Sequence, residues 1–279
     1  MTYAKKTFGQ NFLKDKVALE KIILAGKIES GETILEIGPG RGALTKYLLG
    51  AGACVVAVEI DPDMIEVLRE TFEEEISEGR LVIHQLDILE TDIATIGLEA
   101  GEYKVIANIP YYITGLILRT FLESKIQPSR MVLLVQKEVA ERIVDGQEGG
   151  KKKQKRASRK KHKENILSLS VKVYGDVRYV TTVGAKSFSP APKVDSAVIE
   201  ISNISKERIT QAGITDEDFF KIVKLGFGQK RKTLVNNLKH GGYESSAITK
   251  ALESLGLDIR ARAETLKLDH WLDLIKKIQ

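Results

Sequence analysis

Four consecutive residues, Asn108-Ile109-Pro110-Tyr111, set an amide, a proline and an aromatic ring directly after an apolar run, 103–107. An aromatic face can stack on a flat heterocycle, and a side-chain amide can accept hydrogen bonds from an amine on that ring's edge. An adenine amine is a poor nucleophile because its lone pair is delocalised into the ring. Two acceptors placed on its hydrogens, the Asn108 side-chain oxygen and the Ile109 carbonyl, would free that lone pair. Simpler roles exist for each residue taken alone: Asn108 as a turn residue, Pro110 as a strand end, Tyr111 as core.

A second group has the chemistry of a nucleoside site. Gly38, Gly40 and Gly42 follow the run 33–37 and precede a helical pattern. Their spacing is G-x-G-x-G, whereas a dinucleotide loop is usually G-x-G-x-x-G. Glu36 lies inside the preceding run. Glu59 closes the next apolar run, where it could accept from both ribose hydroxyls. Asp87 closes the third and could accept from an adenine amine. Such a set suits an adenosine without a pyrophosphate, so it favours S-adenosylmethionine over NAD. A methylsulfonium donor brings its own leaving group, so transfer needs mainly positioning, and no general base is evident. No metal centre is expected: His84, His162, His240 and His270 lack ligand spacing, and Cys54, the one cysteine, sits in an apolar run.

These residues need a scaffold that gathers them. Runs at 33–37, 53–60, 80–86, 103–107 and 131–136 read as strands. They alternate with helical patterns at 14–27, 43–49, 62–75, 113–124 and 137–144. Near-continuous apolar strands alternating with helices predict a doubly wound, mostly parallel α/β sheet. In such sheets ligands bind beyond the carboxyl ends of the strands. Gly38, Glu59, Asp87 and Asn108 all fall at such ends. A helix over 166–174 and two edge strands, 176–183 and 194–201, follow, with a proline-stiffened loop at 188–193. Strand signals stop near 205, and four helical patterns end the chain. The expected domains are 1–203 and 204–279, the second all-α.

With 43% hydrophobic and 29% charged residues, the chain has the composition of a globular protein. Its net charge is +5, but the run 151–163, which begins Lys151-Lys152-Lys153, holds nine Lys and Arg and no acid. Without that run the remainder is net acidic. A second acid-free cluster contains Lys221, Lys224, Lys230, Arg231, Lys232 and Lys239. Both favour a polyanionic partner, most simply nucleic acid. The alternatives are a solvated loop for the first and an ordinary exposed helix face for the second. No apolar run is long enough to span a membrane and no apolar leader is evident, so a cytoplasmic location is expected.

The motifs Gly9-Gln10-Asn11-Phe12-Leu13, Glu36-Ile37-Gly38-Pro39-Gly40, Asn108-Ile109-Pro110-Tyr111, Gln136-Lys137-Glu138-Val139-Ala140, FSPAPKVDSAV (188–198) and FGQKRKTLVNNL (227–238) occur in that order. Together they resemble the ribosomal RNA adenine dimethyltransferase family, in its small-subunit branch. The resemblance implies a class I S-adenosylmethionine-dependent methyltransferase fold, a Rossmann-like seven-stranded sheet with a small C-terminal helical domain. It implies dimethylation of two adjacent adenosines near the 3′ end of small-subunit ribosomal RNA, on an immature subunit, by a monomer. By the family pattern, Asn11, Leu13, Gly38, Gly40, Glu59, Asp87 and Asn108 hold the cofactor. Asn108, Ile109, Pro110 and Tyr111 hold the base, and Phe188 packs on its other side. Lys230, Arg231 and Lys232 contact RNA backbone. The insertion 145–164, with Lys151, Lys152 and Lys153, departs from the family pattern and reads as an extra RNA tether. A large-subunit adenine dimethyltransferase, a non-catalytic assembly factor and, distantly, an NAD oxidoreductase are the competing readings.

Overall fold

In a computed structural model of the chain, residues 11–144 and 163–279 are described. Gly9, Gln10 and Lys151, Lys152 and Lys153 lie outside the described residues. The elements are β1 (Phe12–Leu13), α1 (Lys16–Gly26), β2 (Thr33–Ile37), α2 (Ala43–Gly50), β3 (Cys54–Glu59), α3 (Pro62–Thr71), α4 (Glu73–Ser77), β4 (Leu81–Gln85), β5 (Tyr103–Asn108), α5 (Thr114–Leu122), β6 (Arg130–Gln136), α6 (Lys137–Val144), α7 (Ile166–Lys172), β7 (Asp176–Val183), β8 (Phe188–Ser189), β9 (Ser196–Ser202), α8 (Glu207–Ala212), α9 (Asp216–Gly226), α10 (Leu234–His240), α11 (Ser245–Ser254) and α12 (Leu268–Ile278).

Seven strands form one sheet in the order β4-β3-β2-β5-β6-β9-β7. β4, β3, β2, β5 and β6 are parallel neighbours, and β9 runs antiparallel between β6 and β7. The interior parallel strands β2, β3, β5 and β6 are largely buried on both faces, which is why they read as unbroken apolar runs. In-register pairing such as Ile37 with Val58 and Glu59 with Gln85 brings the carboxyl ends of the strands to one edge. The two later strands pair with each other as expected, but β9 is interior and only β7 is the edge.

Outside this sheet, β1 pairs with β8, Phe12 opposite Ser189 and Leu13 opposite Phe188. Two-residue strands carry no periodicity, so the sequence does not announce this ladder. Asp15 reinforces it. Its side chain caps α1 through the amides of Val17 and Ala18 and accepts from the Ser187 hydroxyl at 2.7 Å. The Ser187 bond is the largest of the effects that hold the Asp15 carboxyl below its usual pKa. The segment leading to the strand edge is thus tied down on both sides.

The helix expected over 62–75 is interrupted. Phe72 leaves helical geometry (φ −122°, ψ 34°), and its ring lies where a β-carbon on Gly42 would stand, 2.3 Å away. The first turn of α2 and the end of α3 are thereby locked together through a glycine.

The described residues divide into two compact units. One is the chain up to Ala140 with Asp176–Ile204, which contains both sheets. The other is Glu141–Gly175 with Ser205–Gln279. The expected division, 1–203 and 204–279, coincides with this one only where the chain passes to the helices beyond Ile204. The described residues among 141–175 group with the helical unit instead. The reason lies in the end of α7 and the residues flanking that helix. Tyr174 donates to Asp216 at 2.6 Å, Arg208 bonds the Lys172 carbonyl, and the Glu164 amide donates to the Glu264 carbonyl at 2.8 Å. In that unit, Trp271 is fully buried and stacks on Phe227 with ring centroids 5.7 Å apart. Asn237 donates to the carbonyls of Gly226 and Gln229 and so holds the turn that carries Lys230, Arg231 and Lys232, all exposed.

Candidate active site

A cavity of about 320 Å³ opens at the carboxyl edge of the large sheet. Asn11 and Leu13, Gly38 and Gly40, Glu59, Asp87, and Asn108, Ile109, Pro110 and Tyr111 all line it. Every residue expected at the cofactor and base sites of the first unit therefore converges here, except Phe188.

The glycine loop is shaped for close approach. Gly38, Gly40 and Gly42 have φ of +64°, +57° and +78°, a region costly for residues with a β-carbon. At Gly40 a β-carbon would also meet the Phe12 ring at 2.8 Å. The loop is held from β3: Glu59 accepts from the Gly40 amide at 3.0 Å with one oxygen, and from Ile60 and Asp61 amides at 2.9 and 3.0 Å with the other. Burial pushes the Glu59 carboxyl up in pKa, and these backbone donors oppose the shift. Glu59 therefore joins two strand ends as well as facing the cavity.

Glu36, 1% exposed inside β2, is a second buried acid that lines the cavity. The Thr45 hydroxyl donates to it at 2.6 Å from the first turn of α2. Burial pushes its pKa up to about 8, Thr45 opposes the shift, and the Glu59 charge adds to it. Asp87 is half-buried, with one oxygen accepting from the Leu89 amide at 2.9 Å. It caps its own turn and still lines the cavity.

At the end of β5, the Asn108 amide nitrogen donates to the Asn11 carbonyl at 3.1 Å. This bond fixes which way the amide faces and turns its oxygen into an acceptor for the cavity. Tyr111 begins a short 3₁₀ turn, 111–113, and its hydroxyl shares a 2.6 Å hydrogen bond with Ser196 at the start of β9. Burial raises the Tyr111 pKa and Ser196 partly offsets it. Its ring is therefore held at both ends.

Phe188, expected on the far side of the base, is 2% exposed, faces Leu13 across the β1–β8 ladder, belongs to the apolar core and is not among the residues that line the cavity. Its burial anchors the ladder that carries Asn11. Conversely, the sequence did not single out Phe12, Arg41, Tyr112 or Ser196. Phe12 and Arg41 form one wall, the guanidinium 5.0 Å from the ring centroid. Phe12 and Ser196 lie inside two of the motifs quoted above, which was the available signal. The bond from Ser196 to Tyr111 spans 85 positions and leaves no local trace.

Three carboxyl side chains and one guanidinium line the cavity. This balance suits a cationic adenosine derivative better than a pyrophosphate, which would need donors and positive charge.

The chain matches the family described as Ribosomal RNA adenine dimethylase over residues 1–279. It is 40% identical over 272 residues to the ribosomal RNA small subunit methyltransferase A of Dehalococcoides mccartyi (strain CBDB1), covering 97% of this chain and 87% of that one. The protein of the same name from Fusobacterium nucleatum subsp. nucleatum is 38% identical over 275 residues, 98% of this chain and 96% of that one. Among solved structures, a dimethyladenosine transferase from Plasmodium falciparum superposes with a TM-score of 0.71 at 26% identity, covering 94% and 95% of the two chains. The 23S rRNA methyltransferase ErmE, at 22% identity and TM-score 0.71 over 96% and 99%, shares the fold. The sheet order and helical C-terminal part are those of a class I methyltransferase, and the chain belongs to the ribosomal RNA adenine dimethylase family.

Proposed function

We propose that this cavity transfers methyl groups from S-adenosylmethionine to the exocyclic amines of two adjacent adenosines near the 3′ end of small-subunit ribosomal RNA. The carrying observation is that the acid-lined glycine pocket and Asn108-Ile109-Pro110-Tyr111 share one cavity at the sheet edge. Family membership and relatives of 38–40% identity named for the small subunit favour this target over large-subunit RNA.

The donor set fits the cofactor. Glu59 and Asp87 would accept from the ribose and the adenine, and Gly38 and Gly40 would let the backbone approach it. Asn11 and Leu13 would close the pocket from the N-terminal side. The bound cofactor would supply an electrophilic methyl on a positive sulfur. The Asn108 side-chain oxygen and the Ile109 carbonyl would accept from the target amine, and Tyr111 would stack on its ring. Pro110 stiffens the link between them. A new nitrogen–carbon bond would form at the expense of the donor's sulfur–carbon bond, and the amine proton would leave to water. Because the base must enter a cavity lined by the sheet edge, it reaches it unpaired or flipped out of a helix.

Lys230, Arg231 and Lys232, and the run containing Lys151, Lys152 and Lys153, are proposed to contact RNA phosphates, a positioning role. The proposal takes the immature small subunit as partner, a monomer as the working form and the cytoplasm as the setting. Among the described residues no helix is long and apolar enough to cross a membrane.

The test is methyl transfer from labelled S-adenosylmethionine to unmodified small subunits, with mass spectrometry of the digested RNA. Two methyls on each of two adjacent adenosines are expected. Binding without label would make the protein an assembly factor, and label confined to large-subunit RNA would move it to the sister activity.

A further inference from the structure

At the mouth of the same cavity stands a feature that the transfer chemistry leaves unused. Tyr112 follows the base-holding Tyr111, lines the cavity, and is 68% exposed. Leu116, one turn on, is 53% exposed. Between them on that face, Gly115 has open space where a β-carbon would project. Arg119 continues the stripe, exposed and paired at 3.0 Å with Glu123 at the end of its own helix. In contrast to Tyr111, the Tyr112 hydroxyl has no hydrogen-bond partner among the described residues. The rim thus presents an uncovered aromatic face, an aliphatic neighbour and a cation, in that order away from the cavity.

We propose that Tyr112 and Leu116 form a second nucleobase subsite, which holds the nucleotide next to the target adenosine. This rests on the RNA-methylating reading above. If one base is drawn into the cavity, its neighbour on the same strand is held at the mouth by the sugar–phosphate link. There it meets the Tyr112 ring. Aromatic side chains serve single strands as stacking platforms without regard to base identity. A sequence-tolerant platform suits a site that must present two neighbouring adenosines in turn. The Tyr112 ring is open to a flat partner, and Arg119 stands where the next phosphate would pass.

The first test uses steady-state methylation of small subunits by Tyr112→Ala, Tyr112→Phe and Leu116→Ala. Stacking on an aromatic is lost on truncation to alanine, so Tyr112→Ala should raise KM for subunits by ~5- to 150-fold. Its dissociation constant for S-adenosylmethionine should stay at the wild-type value, and Tyr112→Phe should restore RNA binding. Leu116→Ala should show a smaller defect of the same kind. The second test places a photoreactive benzoylphenylalanine at position 112 and maps its crosslinks on small subunits. A crosslink to the nucleotide beside a target adenosine is expected. A wild-type KM in Tyr112→Ala, a Phe variant as poor as Ala, weakened cofactor binding, or a crosslink to a ribosomal protein or a second copy of this chain would each overturn the subsite. No methylation by the wild-type protein would instead overturn the reading it rests on.

Discussion

The bond between Tyr111 and Ser196 makes a sharp demand on any account of how the base is gripped. Its length is 2.6 Å, and Ser196 is fully buried while Tyr111 is half-buried. Tyr111→Phe leaves the Ser196 hydroxyl buried without its partner, which costs about 1–3 kcal/mol. Ser196→Ala removes the partner from a phenol that can turn toward the open cavity, so the loss is nearer the net worth of a hydrogen bond, about 1 kcal/mol. Removing both leaves no orphan, and the double variant should be more stable than Tyr111→Phe alone. The coupling is then of order 1 kcal/mol. If the same bond fixes the ring that stacks on the base, each single variant should lose about fivefold in kcat/KM for RNA, and the double variant no more than the worse single. Denaturant unfolding gives the stability cycle, and single-turnover methylation of small subunits gives the kinetic one. Additive effects in both cycles would refute the coupling. A coupled stability with unchanged transfer would show that the bond holds the fold and not the base.

Other consequences follow from the same geometry. Gly42→Ala meets the Phe72 ring at 2.3 Å and adopts φ +78°, whereas Gly31→Ala adopts φ +83° with open space around it. The second should cost about 1–2 kcal/mol from backbone strain alone, and the first about 1–3 kcal/mol more from crowding; equal urea midpoints would contradict the packing described. Glu36 has a folded pKa of about 8 against an ordinary 4.5, so the folded state keeps a proton that the unfolded chain releases between those values. Its contribution is therefore present below pH 4.5 and is lost as pH rises toward 8, on the order of 5 kcal/mol across the window. Glu36→Gln should flatten the decline in stability over that range, with buried Glu59, shifted the same way, retaining part of the slope; an unchanged slope would exclude Glu36 as its source. Asn108→Ala should lower transfer by roughly 10²–10³-fold, the scale for losing one fixed polar contact to the reacting group. Calorimetry should still detect S-adenosylmethionine binding, and near-normal turnover would remove Asn108 from its assigned role.

The parts of this site visible in the sequence are those that local physics writes locally. Parallel strands buried on both faces must be apolar along their length, so β2, β3 and β5 appear as runs whose ends Gly38, Glu59 and Asn108 mark, and Asp87 follows the edge strand β4. Glycines that need positive φ stand out in the same way. Pairings across long separations leave no such record. Phe188 looks like an available aromatic in a proline-rich loop, yet its bridge to Leu13 buries it. Ser196 reads as an ordinary residue within the expected strand 194–201. The helix expected through residue 75 breaks because Phe72 is drawn to Gly42, a contact that helical periodicity cannot encode. Grouping of residues 141–175 with the C-terminal helices depends on Tyr174, Glu164 and Lys172, each of which finds its partner in the second unit.

The geometry also bears on how one site could place two methyls on one nitrogen in the proposed reaction. The first transfer begins with an amine carrying two hydrogens, and the second with an amine carrying one. One acceptor must therefore release between them. The Asn108 oxygen belongs to a side chain that can rotate, but its nitrogen is tied to the Asn11 carbonyl. Asn11 is in turn tied to the β1–β8 ladder, which the Asp15–Ser187 bond and the buried Phe188 hold in place. The Ile109 carbonyl is main chain, between the end of β5 and the proline. Of the two, the Asn108 amide can swing with the loss of a single 3.1 Å bond, whereas moving the carbonyl would drag Pro110 and the turn that orients Tyr111. In the proposed reaction Asn108 would then be the acceptor that lets go, and loosening its tether should change the second transfer more than the first. Cutting the Asp15–Ser187 bond with Ser187→Ala should therefore alter the ratio of mono- to dimethylated adenosine in digested RNA. A ratio identical to wild type would return the releasing role to the carbonyl.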